Sequence, residues 1–436
     1  MNYPETLHYL YSRLPMFSSL GKGAIKPGLQ NTIKFCQELG NPQKKFKSVH
    51  VGGTNGKGST SHMLAAILHE AGYKTGLYTS PHLRDFRERI RINGEMIAEI
   101  EVIQFVEAHQ QYIEELEPSF FEVTVALAFE YFSAQQVDIA IIEVGLGGSL
   151  DSTNVIYPEL SVISNIGYDH MNILGDSLNE IASQKAGIIK HQVPVVISQR
   201  QDEVEDIFIN KAFEMNSVLT FASDEWDIFR SQTQNNSSGL LKLEIRQKIT
   251  TEIPVFSFNS IELDLTGSYQ LKNLAGVLSA VKQLKLIGYQ IDDQDILSAL
   301  RQVKKLTGLM GRWHSLNYNP QIICDTGHNE DGIREVIKNI NLTPHKELHM
   351  VIGMVKDKDI SKILSLLPQK AYYYFCEPTI QRAKPANDLQ LEAAKFGLKG
   401  AFYPTVQAAF DQAKKNAGNT DLIFIGGSTF VVAEII

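Results

Sequence analysis

Cysteine is scarce: Cys36, Cys324 and Cys376 are the three in 436 residues, far apart and with no CxxC pair. That excludes a disulfide framework or a cysteine zinc site and fits a reducing cytosol. Positive charge is in no excess, with 41 Lys plus Arg against 49 Asp plus Glu and a net charge of -8. A nucleic-acid role gains no support from that balance. An anionic small ligand would need a local basic pocket. No apolar run reaches the ~20 residues of a membrane span. The opening MNYPETLHYLYSRLP has no apolar core of a signal peptide. No repeat recurs at a fixed period. Hydrophobic residues at 43% and charged residues at 21% are ordinary for a soluble globular protein. The length exceeds one ordinary core and suggests two or three domains.

What is there is organised around residues 51–60, VGGTNGKGST. An apolar alternation (Phe46, Val49, Val51) precedes it, and a helical pattern (Met63, Leu64, Ile67, Leu68, Ala71) follows. Strand, glycine-rich turn and helix together make a phosphate site: backbone N–H groups and the positive helix end face the anion. Lys57 can reach β- and γ-phosphates, and the Ser59 hydroxyl can face Mg²⁺. The spacing departs from GxxxxGK[ST], since Gly58 separates Lys57 from Ser59.

One or two helices and a loop at AIKPGLQ lead into this stretch. Beyond it TGLYTS, VDIAIIEVG, ELSVISNIG and VPVVIS read as buried parallel strands. Residues 95–116 and 118–136 read as helices. SVLTFASDEWDIF, LLKLEIRQK, IPVFSF and SIELDLTG read as antiparallel strands, with SQTQNNSSG as a hairpin tip. After a glycine-containing boundary near 304–310, PQIICDTGHN, ELHMVIGMV, AYYYFCEP and DLIFIGGS read as strands of a second α/β run. The expected class is α/β: a doubly wound P-loop domain over 1–305 with a small antiparallel β addition, then a Rossmann-like domain over 306–436.

Sites in such sheets lie at strand C-terminal ends. Ser80 follows TGLYT, Glu143 ends one strand, and Asp169 and His170 follow another. A strand-end carboxylate beside a phosphate loop normally holds Mg²⁺. Taken alone, His170 is an ordinary polar residue; its place beside Asp169 singles it out. A buried carboxylate paired with lysine is the plain alternative for Glu143.

GTNGKGST, TSPHL with FRERIRING, EVGLGGSLDSTN, DHMNILG, QKAGIIK, GRW, DTGHNEDG and GMVKDKD occur in that order. Together they resemble the folylpolyglutamate synthases and bifunctional dihydrofolate synthases, ATP-dependent amide-forming enzymes of the Mur ligase superfamily. The resemblance runs from about residue 20 to the C-terminus. It implies ATP as cosubstrate, two Mg²⁺, L-glutamate and a folate or dihydropteroate as substrates, and a cytoplasmic monomer. It assigns Gly56, Lys57, Gly58, Ser59, Asn273, Arg312 and Asp325 to ATP. It assigns Ser80, Glu143, His170 and a carbamoylated Lys185 (an N6-carboxylysine) to metal, with Lys190 as the rival lysine. His328 falls at the amino-acid end. Ser119, Phe120, Phe121 and Glu122 match one pterin-binding segment; Leu150, Asp151 and Ser152 match the other. Ser149, Tyr269 and Glu330 depart from the family pattern of Arg, His and Pro. A Mur-type ligase acting on a peptidoglycan precursor is the rival within the class. A P-loop switch is the rival outside it, and would lack the QKAGIIK segment and the C-terminal unit.

Overall fold

The structure, a computed structural model, describes residues 1–16, 21–24, 28–231, 239–248, 255–356 and 360–436. Residues 25–27 of AIKPGLQ, 232–238 of the SQTQNNSSG tip and 357–359 of GMVKDKD lie outside the described residues. The chain divides into two compact units, Met1–Asp264 with Gln270–Gly308 and Leu265–Tyr269 with Leu309–Ile436.

The first unit is built on an eight-stranded sheet. Its strands are β1 (Lys47–Gly52), β2 (Thr75–Tyr78), β3 (Ile90–Ile92), β4 (Glu95–Met96), β5 (Ile139–Glu143), β6 (Leu160–Ile163), β7 (Val195–Ile197) and β8 (Leu219–Phe221). The order is β4-β3-β2-β5-β1-β6-β7-β8, parallel from β2 to β8. β2, β5 and β6 are buried along their whole length, as expected of strands covered on both faces. β2, β5, β1 and β6 are consecutive neighbours, so the loops leaving their C-terminal ends lie side by side. One apolar cluster joins Ala140 and Ile142 to Phe35, Phe105 and Phe129. Another joins Val144, Ile163 and Val195 to Ile181 and Phe208.

Four helices of the first unit carry candidate site residues. α1 (Lys57–Glu70) leaves the phosphate loop and is buried on every side from Gly58 to Leu68, so it lacks the polar stripe of a surface helix. α2 (Phe120–Ala134), α3 (Leu178–Ala186) and α4 (Gln270–Leu286) complete the set. Three readings are corrected. Leu219–Phe221 of SVLTF pairs in parallel with β7 and is not antiparallel; the helix Glu205–Glu214 supplies the crossover that parallel pairing needs. Glu95–Met96 pairs antiparallel with β3, and its helix starts only at Glu99. Residues 255–258 of IPVFSF form no strand; Phe256 instead stacks on Trp226, with centroids 5.5 Å apart. The antiparallel addition is β9 (Trp226–Arg230), β10 (Leu241–Gln247) and β11 (Ser260–Leu263).

The second unit has its own core around Met350, Phe375 and Phe424. Its sheet contains β12 (His314–Tyr318), β13 (Gln321–Cys324), β14 (Leu348–Ile352), β15 (Tyr372–Cys376), β16 (Gly400–Tyr403) and β17 (Leu422–Gly426), in the order β12-β13-β17-β14-β15-β16. β12 and β16 were not anticipated. Both are edge strands with mostly exposed or half-buried residues, so neither shows an apolar run. α5 (Glu330–Leu342) follows β13. No helix among the described residues is long and apolar enough to cross a membrane.

Candidate active site

β1 delivers the chain into the phosphate loop with two glycines at positive φ. A Cβ at Gly53 (φ +132°) would lie 1.9 Å from Ser164 Oγ, and one at Gly56 (φ +88°) 2.2 Å from Asn273 Oδ1. Side chains are excluded there by both space and backbone. The loop is tied to the segment after β6: Thr54 N donates to Asn165 O, and Asn55 N to Asn165 Oδ1, both at 2.8 Å. Ser164 Oγ donates to Asn55 O at 2.6 Å. No side chain caps α1 at Gly56, which leaves its first-turn N–H groups to an anion. The first turn of α4 closes on the loop. Gln270 Nε2 donates to Ser59 Oγ at 3.1 Å, and Asn273 Nδ2 to Gln270 Oε1 at 2.8 Å.

Two lysines converge on one carbonyl. Lys57 Nζ donates to Gly53 O at 3.2 Å and to Thr54 O at 3.1 Å. Lys185 Nζ donates to the same Gly53 O at 2.7 Å. Lys185 is 4% exposed. Burial, reinforced by repulsion from Lys57, pulls its ammonium down to about 7, with Asp169 and Asp151 opposing. Lys190, the rival, lies beyond α3 and donates to Asn154 O at 3.0 Å.

At the neighbouring strand ends, Ser80 N donates to Glu143 Oε2 at 3.0 Å, and Glu143 is buried. His170 has φ +51°; its N–H donates to Asp169 Oδ1 at 2.9 Å, and its Nε2 lies 3.8 Å from that oxygen. Among the described residues, no three His, Cys, Asp or Glu gather into a cluster that could hold a metal.

The segments assigned to pterin are structurally employed. Ser119 and Glu122 form the capping box of α2: Glu122 N donates to Ser119 Oγ at 3.2 Å and Ser119 N to Glu122 Oε2 at 2.6 Å. Phe120 belongs to the core, with the buried Arg89 guanidinium 5.3 Å from its ring centre. Phe121 packs against Gly145, where a Cβ would lie 2.4 Å from Phe121 Cζ. Leu150 is exposed, and Ser152 is buried. Asp151 accepts from Leu146 N at 2.8 Å and from Thr153 N at 3.0 Å, and from the Thr153 hydroxyl. Burial raises its carboxyl against these bonds. Thr153 Oγ1 in turn lies 2.8 Å from Nε2 of the buried His50, held near 3 by burial.

In the second unit Asp325 is the hub. It accepts from Tyr269 OH at 2.6 Å, Trp313 N at 2.7 Å and Gly327 N at 2.8 Å. Burial and then the Asp325 charge push the Tyr269 phenol far up. Arg312 Nη1 lies 3.4 Å from Gly311 O, and His328 Nδ1 lies 3.0 Å from Thr326 O. Glu330 stands at the first position of α5, behind the cap Asn329. Proline is favoured there because that N–H has no helical partner, and glutamate is favoured by the helix dipole. Ser164, Asn165, Gln270 and Thr153 carried no role in the sequence reading. Their contacts to the phosphate loop and to β1 each join residues far apart in sequence, and no local pattern announces them.

The residues 51–281 match the Mur ligase middle domain, and 311–429 match the Mur ligase glutamate ligase domain. The chain belongs to the Mur ligases, ATP-dependent amide-forming enzymes, in their dihydrofolate synthase/folylpolyglutamate synthase branch. It is 31% identical to the dihydrofolate synthase/folylpolyglutamate synthase of Bacillus subtilis, over 99% of this chain and 98% of that one. It is also 31% identical to a probable bifunctional folylpolyglutamate synthase/dihydropteroate synthase of Haloferax volcanii, of which it spans 50%. The structure of E. coli FolC in complex with DHPP and ADP superposes with a TM-score of 0.84 at 26% identity, covering 100% of this chain and 97% of that one.

Proposed function

We propose that the protein joins L-glutamate to a tetrahydrofolate, extending its glutamate tail, and to 7,8-dihydropteroate, with ATP converted to ADP and phosphate. The observation that carries this is the buried Lys185 beside Lys57 on the phosphate loop. A nucleotide switch has no use for a second, half-neutral lysine there. The Bacillus subtilis relative is named for both activities, which favours the folate substrates over a peptidoglycan precursor.

In this reading the γ-phosphoryl passes to the substrate carboxylate. One O–P bond forms as the bond to ADP breaks, and Lys57 offsets the charge of the loose transition state. The amine of glutamate then attacks the acyl carbon, phosphate leaves with the bonding pair, and His328 takes the amine proton. Gly56, Gly58 and Ser59 hold the phosphates, and Asn273 contacts the nucleotide. Arg312 and Asp325 are the further residues assigned to the nucleotide. Ser119, Phe120, Phe121 and Glu122 with Leu150, Asp151 and Ser152 frame the pterin.

A Lys185 amine that is neutral in part near pH 7 can attack carbon dioxide. An N–C bond forms, a proton leaves, and a carbamate anion replaces the ammonium. Ser80, Glu143, His170 and that carbamate would hold two Mg²⁺. The donors are mostly hard oxygens, and Mg²⁺ keeps waters and phosphate oxygens in its shell, so a preassembled protein cage is not required. When bound, the metal neutralises charge on the phosphate oxygens. The protein would work as a monomer in the cytoplasm.

The test is ADP release with 7,8-dihydropteroate or a tetrahydrofolate, each with and without L-glutamate. Glutamate-dependent release with both acceptors is expected. Release indifferent to glutamate would sink the ligase reading. Release with the reduced folate alone would remove the dihydropteroate half.

A further inference from the structure

Lys185 is the penultimate residue of α3. A helix end leaves carbonyls without helical partners, and the loop of residues 145–154 supplies those partners. Ser149 donates to Gln184 O twice, through its backbone N at 2.8 Å and its Oγ at 3.0 Å. Asn154 Nδ2 donates to Ser149 O and to Gly187 O, both at 3.1 Å. Both facing atoms are carbonyl oxygens, so only the NH₂ side of the amide can meet them. The strap lies directly on the lysine backbone. A Cβ at Gly148 would sit 2.6 Å from Gln184 O and 3.0 Å from Lys185 Cα, and one at Gly187 would sit 2.1 Å from Ser149 Oγ. The strap's other end is fixed through Asp151 and Thr153 to His50 on β1.

We propose that Asn154 is a positioning residue for Lys185, clamping the strap to the end of α3 so that the lysine side chain stays aimed at the phosphate loop. The proposal rests on the reading of Lys185 given above. Asn154 is buried, and its Oδ1 has no partner among the described residues. Packing alone gives no reason for a stranded acceptor; the two amide hydrogens do. Without them two buried carbonyls lose their donor, and the end of α3 is free to move off Gly53. Groups that orient a ligand from behind typically change affinity or activity by about 10- to 100-fold when removed.

The experiment compares wild type, Asn154→Ala, Asn154→Asp, Ser149→Ala and Lys185→Ala. Two quantities are read: the ¹³C NMR carbamate signal in ¹³C-bicarbonate buffer, and glutamate-dependent ADP release. Asn154→Ala should lose about tenfold or more in carbamate signal and in kcat, with KM for ATP nearly unchanged because the Gly56–Asn273 contact is untouched. Asn154→Asp, the same shape but with oxygen facing both carbonyls, should be at least as impaired. Ser149→Ala keeps its N–H bond and should show a smaller loss of both. Should Asn154→Ala not fold, Ser149→Ala decides. Wild-type signal and kcat in these variants, with Lys185→Ala inactive, would overturn the role of Asn154 alone. A wild-type enzyme without a carbamate signal, together with full activity in Lys185→Ala, would remove the Lys185 reading and this proposal with it.

Discussion

Lys185 Nζ donates to the carbonyl oxygen of Gly53 at 2.7 Å. The two residues lie 132 positions apart in sequence. The bond holds a lysine inside the protein against its own phosphate-loop lysine. Its ammonium gains one carbonyl there, loses water, and is repelled by Lys57. The arrangement is unfavourable for the empty protein, and the proposed carbamate, which replaces the ammonium with an anion, would relieve it.

Lys185→Met should therefore stabilise the ligand-free protein while abolishing ligation. The folded value of about 7 lies below the ~10.4 of an unfolded lysine. Between the two the unfolded chain binds the extra proton, so this group makes stability rise with pH. Its penalty is full below about pH 7 and gone above about pH 10.5. Urea unfolding should show Lys185→Met more stable than wild type by about 1–4 kcal/mol at neutral pH, with the gap closing toward pH 10. A variant less stable at every pH would contradict this.

Gly56→Ala should weaken nucleotide binding through its clash with Asn273. Gly72 is the control, with nearly the same φ of +89° and nothing within 4 Å of an added Cβ. Backbone strain alone costs about 1 kcal/mol. Both variants should lose that much stability, but only Gly56→Ala should lose ADP affinity, by about 10-fold or more. Calorimetric ADP titration of the pair checks it. Equal affinities would mean that the contact is idle.

Tyr269→Phe removes one donor from Asp325 and leaves Trp313 N and Gly327 N in place. A hydrogen bond to a charged group contributes about 1.5–3 kcal/mol, so thermal unfolding should register a loss of a few degrees. Burial and the Asp325 charge keep the phenol protonated well past its usual range, so the loss should be constant from neutral pH to about pH 10. A loss that fades as pH rises through 9 would show that the phenol ionises.

The sheet and the loop were legible for a physical reason. Strands covered on both faces must be apolar along their length, as IAII before Glu143 and LIFIG are, and a phosphate loop needs glycine where Gly53 and Gly56 stand. β12 and β16 were not legible because an edge strand with exposed residues has no apolar signature. Leu219–Phe221 was misread because a short strand looks the same in parallel and antiparallel pairing; the helix before it decides. Gln270 on Ser59 joins residues 211 positions apart, and Asn154 on Gly187 joins two loops. Such contacts follow from the assembled fold and not from any local pattern. In the other direction, Ser119 and Glu122, assigned to pterin by resemblance, also form a helix cap whose purpose is local.

The central claim is that ATP activates a carboxylate on the way to an amide. Ligation run with 7,8-dihydropteroate carrying ¹⁸O in its carboxylate tests it most directly. One ¹⁸O per turnover should appear in the released phosphate, because the carboxylate oxygen leaves with the phosphoryl group. Phosphate free of ¹⁸O, at an unchanged rate of amide formation, would contradict the account.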